Sequence, residues 1–382
     1  MIKIAFFTST RGDLASLNPI IKEVERTKGF KPLLFVGGTH LYKNYGHTIK
    51  EIQKEKLKVS GYYKYKIVGN TRSQLLKSLA DAHKKISKIF IKFEFDYIFI
   101  LGDRFEKLAE VNNAIIFNKP IIHYSGGEET FGVIDNQIRH MITKSAHLHF
   151  VMCEKYRQNV INMGENHNRV FNVGNLSIKN MKNIKFNNKK SLFKKFKIDP
   201  QKPLGIFTYH PVTLKTNLSS SRQIRNIFSA LKKFNIQFLI TTPGHEHGRD
   251  IILKYIRKNL KKNKNLFYVD SLGFKNLLNF YKYSNFVIGN SSSGIGQAPY
   301  FRIPTINIGE RQKGRYFHPS IINCGYSVNQ IKNAIQKTQN KIFLKNLKKM
   351  KFMFGDGTAP KKIIRILKKR KIDKHLIWKK LP

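Results

Sequence analysis

The sequence predicts an α/β protein of two Rossmann-like domains, each a parallel sheet covered by helices, with a cleft between them. Three observations predict it. The chain has 382 residues, more than one ordinary domain of ~100–200 residues. Short runs rich in β-branched and aromatic residues alternate with helical patterns, the signature of repeated βαβ units. A lysine- and asparagine-rich stretch closing on Asp199-Pro200 interrupts that alternation, and Asp-Pro marks a turn.

In the first half the strand-like runs are IKIAFFT at 2–8, PLLFVGG at 32–38, YIFILGD at 97–103, IIHYSGG at 121–127 and LHFVM at 148–152. Between them, Thr71 to Lys92 carries Leu75, Leu76, Leu79, His83, Ile86 and Ile89 at spacings of three and four, the stripe of a helix lying on a sheet. His83 reads there as a packing residue. These elements make a first domain over 1–178, followed by a linker region over 179–202. A second domain over 203–355 holds LGIFTYH at 204–210, IQFLITT at 236–242, LFYVDSL at 266–272, FVIGNSS at 286–292 and PTINIG at 304–309. The remainder, 356–382, is a final amphipathic helix and tail built around Ile363, Ile364, Ile366 and Leu367, able to pack on either domain.

Composition narrows the function. The formal charge is +48, from 71 Lys and Arg against 23 Asp and Glu, with 41% hydrophobic residues; that is a globular composition. The lysines are spread along the whole chain rather than gathered in a stripe, which speaks against a nucleic-acid partner, while the field they make steers an anionic substrate inward. No run approaches the ~18 apolar residues of a membrane span, and MIKIAFFTST lacks a signal-peptide pattern. A cytoplasmic protein without a membrane partner is expected. Cys153 and Cys324 have no metal-ligand spacing around them and read as ordinary buried thiols.

In parallel sheets ligands bind outside the carboxyl ends of the strands, so the loops after strands are the ones to read. Thr8 to Asp13 places Arg11 where the chain turns into a helix, suited to phosphate through N–H groups and the guanidinium; the same residues also read as a plain turn with Asp13 starting the helix. Gly37-Gly38-Thr39-His40 offers close backbone approach and an imidazole. Asp103 and Arg104 emerge side by side, a possible general base with a guanidinium that lowers its pKa or holds an anion, or a helix cap with a surface arginine. After HYSGG come Glu128, Glu129 and Asp135, then Arg139 and His140, with Asp135 and Arg139 four apart on one helix face. In the second half, His210 closes a strand as an acid/base or phosphate contact. The loop from Pro243 to Arg249 flanks Glu246 with His245 and His247, at no recognised metal-ligand spacing. Gly289 to Ile295 is a glycine-bounded serine run before a helix, where the hydroxyls of Ser291, Ser292 and Ser293 with N–H groups as far as Gly294 suit a phosphate cradle; the same residues also read as a flexible Ser/Gly turn. Arg311 and Arg315 follow the last strand, enough charge for a diphosphate.

Taken together, TSTRGD, GGTHL, GDRFE, HYSGGE with the following D and RH, NVGN, HPVT, GNSSSGIGQAP, PTINIGERQKGR and GDGTAP resemble the hydrolysing UDP-N-acetylglucosamine 2-epimerases over nearly the whole chain. The resemblance implies the GT-B fold, no cofactor and no metal, UDP held mainly by the carboxyl-terminal domain, and a homo-oligomer. It implies acid/base roles for Asp103 and Asp135, and places Arg11 and Asp13 near the nucleotide sugar. His210 matches the histidine of the HP motif, Ser291 to Ser293 the diphosphate-binding serines, and Arg311 with Arg315 the basic pair. The family's chemistry removes the C2 proton, expels UDP to give a 1,2-unsaturated glycal, then adds water at C1 and reprotonates C2 on the other face, which needs two acid/base groups and donors for the departing diphosphate.

The chain departs from the family at several points. Ser125 stands where many members have a glutamate, so that role passes to Glu128. Gln297 replaces a glutamate that binds the ribose hydroxyls, Ser9 and Gly12 replace a glycine and an alanine, and Glu246 is the nearest acidic match in its loop. The expected substrate is UDP-N-acetylglucosamine or its 2,4-diacetamido-trideoxy relative, on a route to sialic-acid-like or legionaminic acids. The alternatives are a non-hydrolysing 2-epimerase, a GT-B glycosyltransferase and, in another class, a basic nucleic-acid-binding protein.

Overall fold

The computed structural model describes residues 1–45, 47–69, 71–212, 218–244 and 246–379; the side chains of Arg11 and Asn44 lie outside that description. The chain divides into two compact units. The first comprises 1–128, 135–183 and 354–382, and the second comprises 129–134 and 184–353.

The first unit is built on seven strands, β1 (Ile2–Thr8), β2 (Phe30–Gly37), β3 (Val59–Tyr63), β4 (Tyr97–Leu101), β5 (Ile121–Tyr124), β6 (Leu148–Val151) and β7 (Val170–Asn172). Their order in the sheet is β3-β2-β1-β4-β5-β6-β7, with parallel pairing throughout. Helices cover both faces, so strands such as β1 have side chains buried on either side, Ile4 and Phe6 in one cluster and Ala5 and Phe7 in another. That is why they read as continuous apolar runs rather than alternating ones. The helix expected near 71–92 runs Arg72–Lys92 behind a capping box of Thr71 and Gln74, two orphan donors satisfied reciprocally. It buries Ser78, Ala82, Ile86, Ile89 and Phe90, whereas Leu76 faces solvent. His83 is partly buried there, Nδ1 against the Leu79 carbonyl and Nε2 against Asn112.

The second unit repeats the plan with six parallel strands, β8 (Leu204–Thr208), β9 (Gln237–Thr241), β10 (Leu266–Val269), β11 (Phe286–Gly289), β12 (Thr305–Ile308) and β13 (Ile321–Cys324), in the order β10-β9-β8-β11-β12-β13.

The division of the chain differs from the expected one in three places. The region 179–202 contains the end of one helix and the whole of another, Ser177–Lys182 and Lys189–Lys195, because Met181, Leu192 and Phe193 supply buried apolar anchors between the lysines. The break falls between Asn183 and Ile184. The terminal helix, Ala359–Lys368, belongs to the first unit: Ile363, Ile364 and Leu367 join the cluster of Ile4, Phe6 and Leu17. Residues 129–134 belong to the second unit, where the Phe131 N–H donates to the Lys313 carbonyl at 3.0 Å. No helix among the described residues is long and apolar enough to cross a membrane.

In both sheets the winding direction reverses once, between β1 and β4 and between β8 and β11. Ligands of such sheets bind outside the carboxyl ends of the strands at this switch point, so the loops after these four strands hold the positions of interest.

Candidate active site

At the first unit's switch point, the turn after β1 is closed by its own side chains. Thr10 caps the helix Arg11–Arg26 and forms a capping box with Asp13. The Asp13 carboxylate is buried and accepts from the Ser9 N–H at 3.2 Å, the Ser9 hydroxyl at 3.2 Å and the Thr10 N–H at 3.1 Å. Burial opposes its ionisation, but Lys107, Arg104 and the Ser9 N–H outweigh that and lower its pKa. Arg11 opens the helix; its side chain lies outside the described ones. His40 is fully buried, with Nε2 2.9 Å from the Thr8 hydroxyl and Nδ1 2.7 Å from that of Thr48, so its imidazole supports the end of β1.

After β4, the guanidinium that meets Asp103 belongs to Arg139 rather than to its neighbour. Arg104 donates to Glu106 at 3.0 Å. Arg139, fully buried on the helix Asp135–Ser145, donates to Asp103 Oδ2 through Nε at 2.8 Å and again through Nη2. Its Nη1 donates to the Glu128 carbonyl at 2.7 Å and to Asn136 Oδ1 at 3.0 Å. Burial disfavours the guanidinium charge, but Asp103, Glu128 and Asp135 more than restore it, and its pKa is raised. One side chain thereby joins the β4 loop, the β5 loop and the following helix, and it sets a guanidinium against the Asp103 carboxylate, favouring the charged form. Glu128 is buried, Asp135 starts the helix half-buried, and His140 Nε2 lies 3.1 Å from Asn136 Nδ2.

The frame behind Asp103 is rigid and polar. His123 on β5 is fully buried, with Nε2 3.1 Å from the Gly102 carbonyl and Nδ1 3.2 Å from the Thr143 hydroxyl. A carbonyl only accepts, so Nε2 carries the proton and Nδ1 accepts from Thr143. Burial pushes the His123 pKa down to about 3. In the β5 loop, Ser125 and Gly127 both have φ +77°. An added Cβ on Gly127 would stand 2.2 Å from the Tyr156 carbonyl oxygen, so only glycine fits.

At the second unit's switch point, His210 and Asn290 face each other. Asn290 Oδ1 accepts from the His210 N–H at 2.7 Å and its Nδ2 donates to the His210 carbonyl at 2.9 Å. His210 Nδ1 accepts from the Gly244 N–H at 3.0 Å. The Asn290 carbonyl accepts from Arg311 Nη1 at 3.2 Å and Gln312 Nε2 at 2.9 Å. Arg311 also donates to Glu246 at 3.1 Å, and Glu246 lies 3.7 Å from His210 Nδ1. His210, Glu246 and Arg311 are thus gathered at one sheet edge. Ser291 caps the short helix Ser292–Gly296, its Oγ 3.0 Å from that of Ser293, which accepts from the Tyr281 hydroxyl at 2.8 Å. Ser292 is the exposed member of the run, and Gly294 is buried. Gln297 closes that helix with a buried amide oxygen. Arg315 follows Arg311 in the turn after β12, half-buried. His245 lies outside the described residues, and no group of three His, Cys, Asp or Glu among those described is placed to hold a metal ion.

Sequence reasoning singled out neither Asn290 nor Gln312, nor His123, Thr143, Lys107 and Glu110 in the first unit. For His123 and Asn290 the available signal was a polar side chain on an apolar strand or on its first flanking residue, which must find a partner when buried; Lys107, Glu110, Thr143 and Gln312 lie on helices or in a turn and carried no such signal.

The sequence profile described as UDP-N-acetylglucosamine 2-epimerase matches residues 22–368. The chain is 36% identical to the GDP/UDP-N,N'-diacetylbacillosamine 2-epimerase (hydrolyzing) of Campylobacter jejuni, over 95% of this chain and 94% of that one. It is 27% identical to the UDP-N,N'-diacetylbacillosamine 2-epimerase (hydrolyzing) of Legionella pneumophila, over 96% and 95%. Among solved structures, the UDP-GlcNAc 2-epimerase from Neisseria meningitidis bound to UDP-GlcNAc aligns with a TM-score of 0.83 at 16% identity, covering 97% of this chain and 100% of that one; at that identity the likeness speaks for the fold.

Proposed function

Because the chain belongs to the UDP-N-acetylglucosamine 2-epimerase family, we propose that it is a hydrolysing 2-epimerase acting on a UDP-linked 2,4-diacetamido-trideoxy sugar of the diacetylbacillosamine type. The C2 proton and UDP leave, a 1,2-unsaturated glycal forms, water adds at C1, and a proton returns to C2 on the other face. UDP-sugar and water thus become UDP and a free manno-configured sugar, a precursor suited to nonulosonic acid synthesis in the cytoplasm.

The observation that carries the acid–base reading is the grip of Arg139 on Asp103 and on the Glu128 backbone. It favours a carboxylate at Asp103, 21% exposed, as the group that takes the C2 proton. Glu128 and Asp135, on the adjoining loop and helix, are the candidates for the opposite face. Arg11 on the first turn, and Arg104 and His140 around the acid/base groups, are assigned to the sugar and its phosphates, while the buried Arg139 serves them through Asp103. In the second unit Ser291 to Ser293, Arg311 and Arg315 supply donors for the diphosphate, where charge develops as UDP departs, and Gly294 closes the turn behind them through its N–H to the Ser291 carbonyl. His210, Glu246 and Gln297 complete the nucleotide side. Near-full-length kinship to two proteins named as hydrolysing diacetylbacillosamine 2-epimerases supports the choice of substrate and of hydrolysis.

Proton NMR in deuterated water tests this directly. The expected result is UDP and a free, C2-deuterated manno-configured sugar from the diacetamido substrate, with slower turnover of UDP-N-acetylglucosamine. An epimer still linked to UDP would assign the non-hydrolysing reaction, and an undisturbed C2 proton would remove the epimerase reading.

A further inference from the structure

Lys107 opens the helix Lys107–Ile116 behind the β4 loop, and its side chain is fully buried. A lysine is seldom taken out of water without a specific partner. Its ammonium donates to the Phe7 carbonyl of β1 at 3.2 Å and to Glu110 Oε1 at 2.8 Å, and it lies 3.8 Å from Asp13 Oδ2. Burial works against the charge, but Glu110 and Asp13 outweigh it and raise the lysine's pKa. A cation rooted on the β4 side of the switch point therefore grips the end of β1 and the first turn of the helix after it.

Stability alone is a weak reason for such a cluster, because well-packed apolar residues in place of a buried ion pair are often as stable or more so. An apolar pair would fill the same space but would leave nothing directed at Phe7 and Asp13. The Asp13 carboxylate is itself turned inward, onto Ser9, Thr10 and Lys107. Its effect on a ligand therefore runs through the shape of the turn that carries Arg11. We propose that Lys107 is a positioning residue for UDP-sugar binding: it ties the turn Ser9–Asp13 to the helix behind the β4 loop, holding the two loops of the switch point in one arrangement. The identity of the ligand rests on the 2-epimerase reading; the tie rests on the distances above.

Two variants test it. Lys107→Met removes the charge at similar length, and Lys107→Met/Glu110→Leu also removes one of the two carboxylates that the first change leaves buried without this cation, the other, Asp13, keeping its donors from Ser9 and Thr10. The expected result for the double variant is a wild-type unfolding midpoint, amide exchange at residues 9–14 faster by about tenfold or more while the rest of the sheet is unchanged, and a KM for the UDP-sugar raised about tenfold with kcat held. Unchanged exchange at residues 9–14, or faster exchange with an unchanged KM, overturns the positioning role. A general loss of protection throughout the unit would show a core contact instead, which also overturns it. Wild-type protein that turns over neither UDP-2-acetamido sugar overturns the functional reading and the ligand named here, and this is visible before any variant is made.

Discussion

Asn290 and His210 hold each other by a two-way backbone clasp: the asparagine amide both accepts from the His210 N–H and donates to the His210 carbonyl. It joins the loops after β8 and β11, the two strands at which the second sheet changes direction. In the first sheet Lys107 joins the equivalent pair of loops through Phe7 and Asp13. Each switch point is thus fastened by one buried polar side chain, and the ligand-facing residues sit on the fastened loops.

Replacing Asn290 by Asp keeps the size and one acceptor but sets a carboxylate oxygen against the His210 carbonyl. Two acceptors facing each other in a buried position cost ~1–3 kcal/mol, and the strain falls on His210 and on the start of the serine loop. UDP affinity measured by calorimetry should fall about 10–100-fold. Unchanged affinity in Asn290→Asp would show that the clasp does not shape the nucleotide side.

Asp103 and Arg139 make a second pair whose partners can be separated. Asp103→Asn removes a proton acceptor at nearly constant volume, so turnover should vanish while UDP binding stays; wild-type turnover would remove its role. Arg139→Lys keeps a charge but loses the planar fork that serves Asp103, Glu128 and Asn136 together. Its kcat should fall about 100-fold, and the acid limb of the pH–rate profile should move to higher pH as the carboxylate loses its guanidinium. A lower kcat with an unmoved acid limb would mean that Arg139 orients the loops without tuning the carboxylate.

The sequence made the parallel strands legible because helices cover both faces and leave continuous apolar runs, as in IKIAFFT and YIFIL. It concealed β3, whose VSGYY lies among lysines and whose register shifts against β2, and the short β7 and β13 at sheet edges. The loops that carry chemistry were legible as clusters of polar residues after strands. Their pairing was not, since adjacency suggested Arg104 for Asp103, whereas folding brings Arg139 from 36 residues on. Lys107 and Glu110 drew no notice in the sequence, where a charged i, i+3 pair is ordinary on a helix surface; the fold buries both and sets the ammonium against the Phe7 carbonyl.

Glu110 gives the buried cluster a pH dependence of definite sign. Burial, opposed by Lys107, raises its pKa from 4.5 to about 7. Between those values the folded chain holds a proton that the unfolded chain has released, so this group's stabilisation is complete below pH 4.5 and is lost as pH rises through 7. Glu110→Gln removes the titration. The stability of the variant relative to wild type should therefore increase between pH 5 and pH 8, by on the order of 3 kcal/mol at most. Denaturation curves for the two proteins at several pH values measure the difference, and a constant difference would place the Glu110 pKa near that of an ordinary glutamate.

The C-terminal segment offers a control in which stability and catalysis should separate. Arg169, immediately before β7, donates to the carbonyls of Leu376 and Trp378 at 3.0 Å each and to that of His375, capping the short helix Lys374–Ile377. Nearby, Lys379 and Lys144 converge on the buried Glu165 with His149, and its pKa is lowered to about 2: burial works the other way, and the donors outweigh it. Arg169 and the tail residues it holds lie at the amino-terminal ends of β6 and β7, opposite to the strand ends whose loops carry Asp103 and Glu128. Arg169→Ala should therefore lose ~1–3 kcal/mol of stability, or about 2–10 °C in unfolding midpoint. It should also admit trypsin at Lys371 and Lys374 while kcat and KM stay at their wild-type values. A change in kcat without early cleavage of the tail would tie this edge of the sheet to the chemistry at the other.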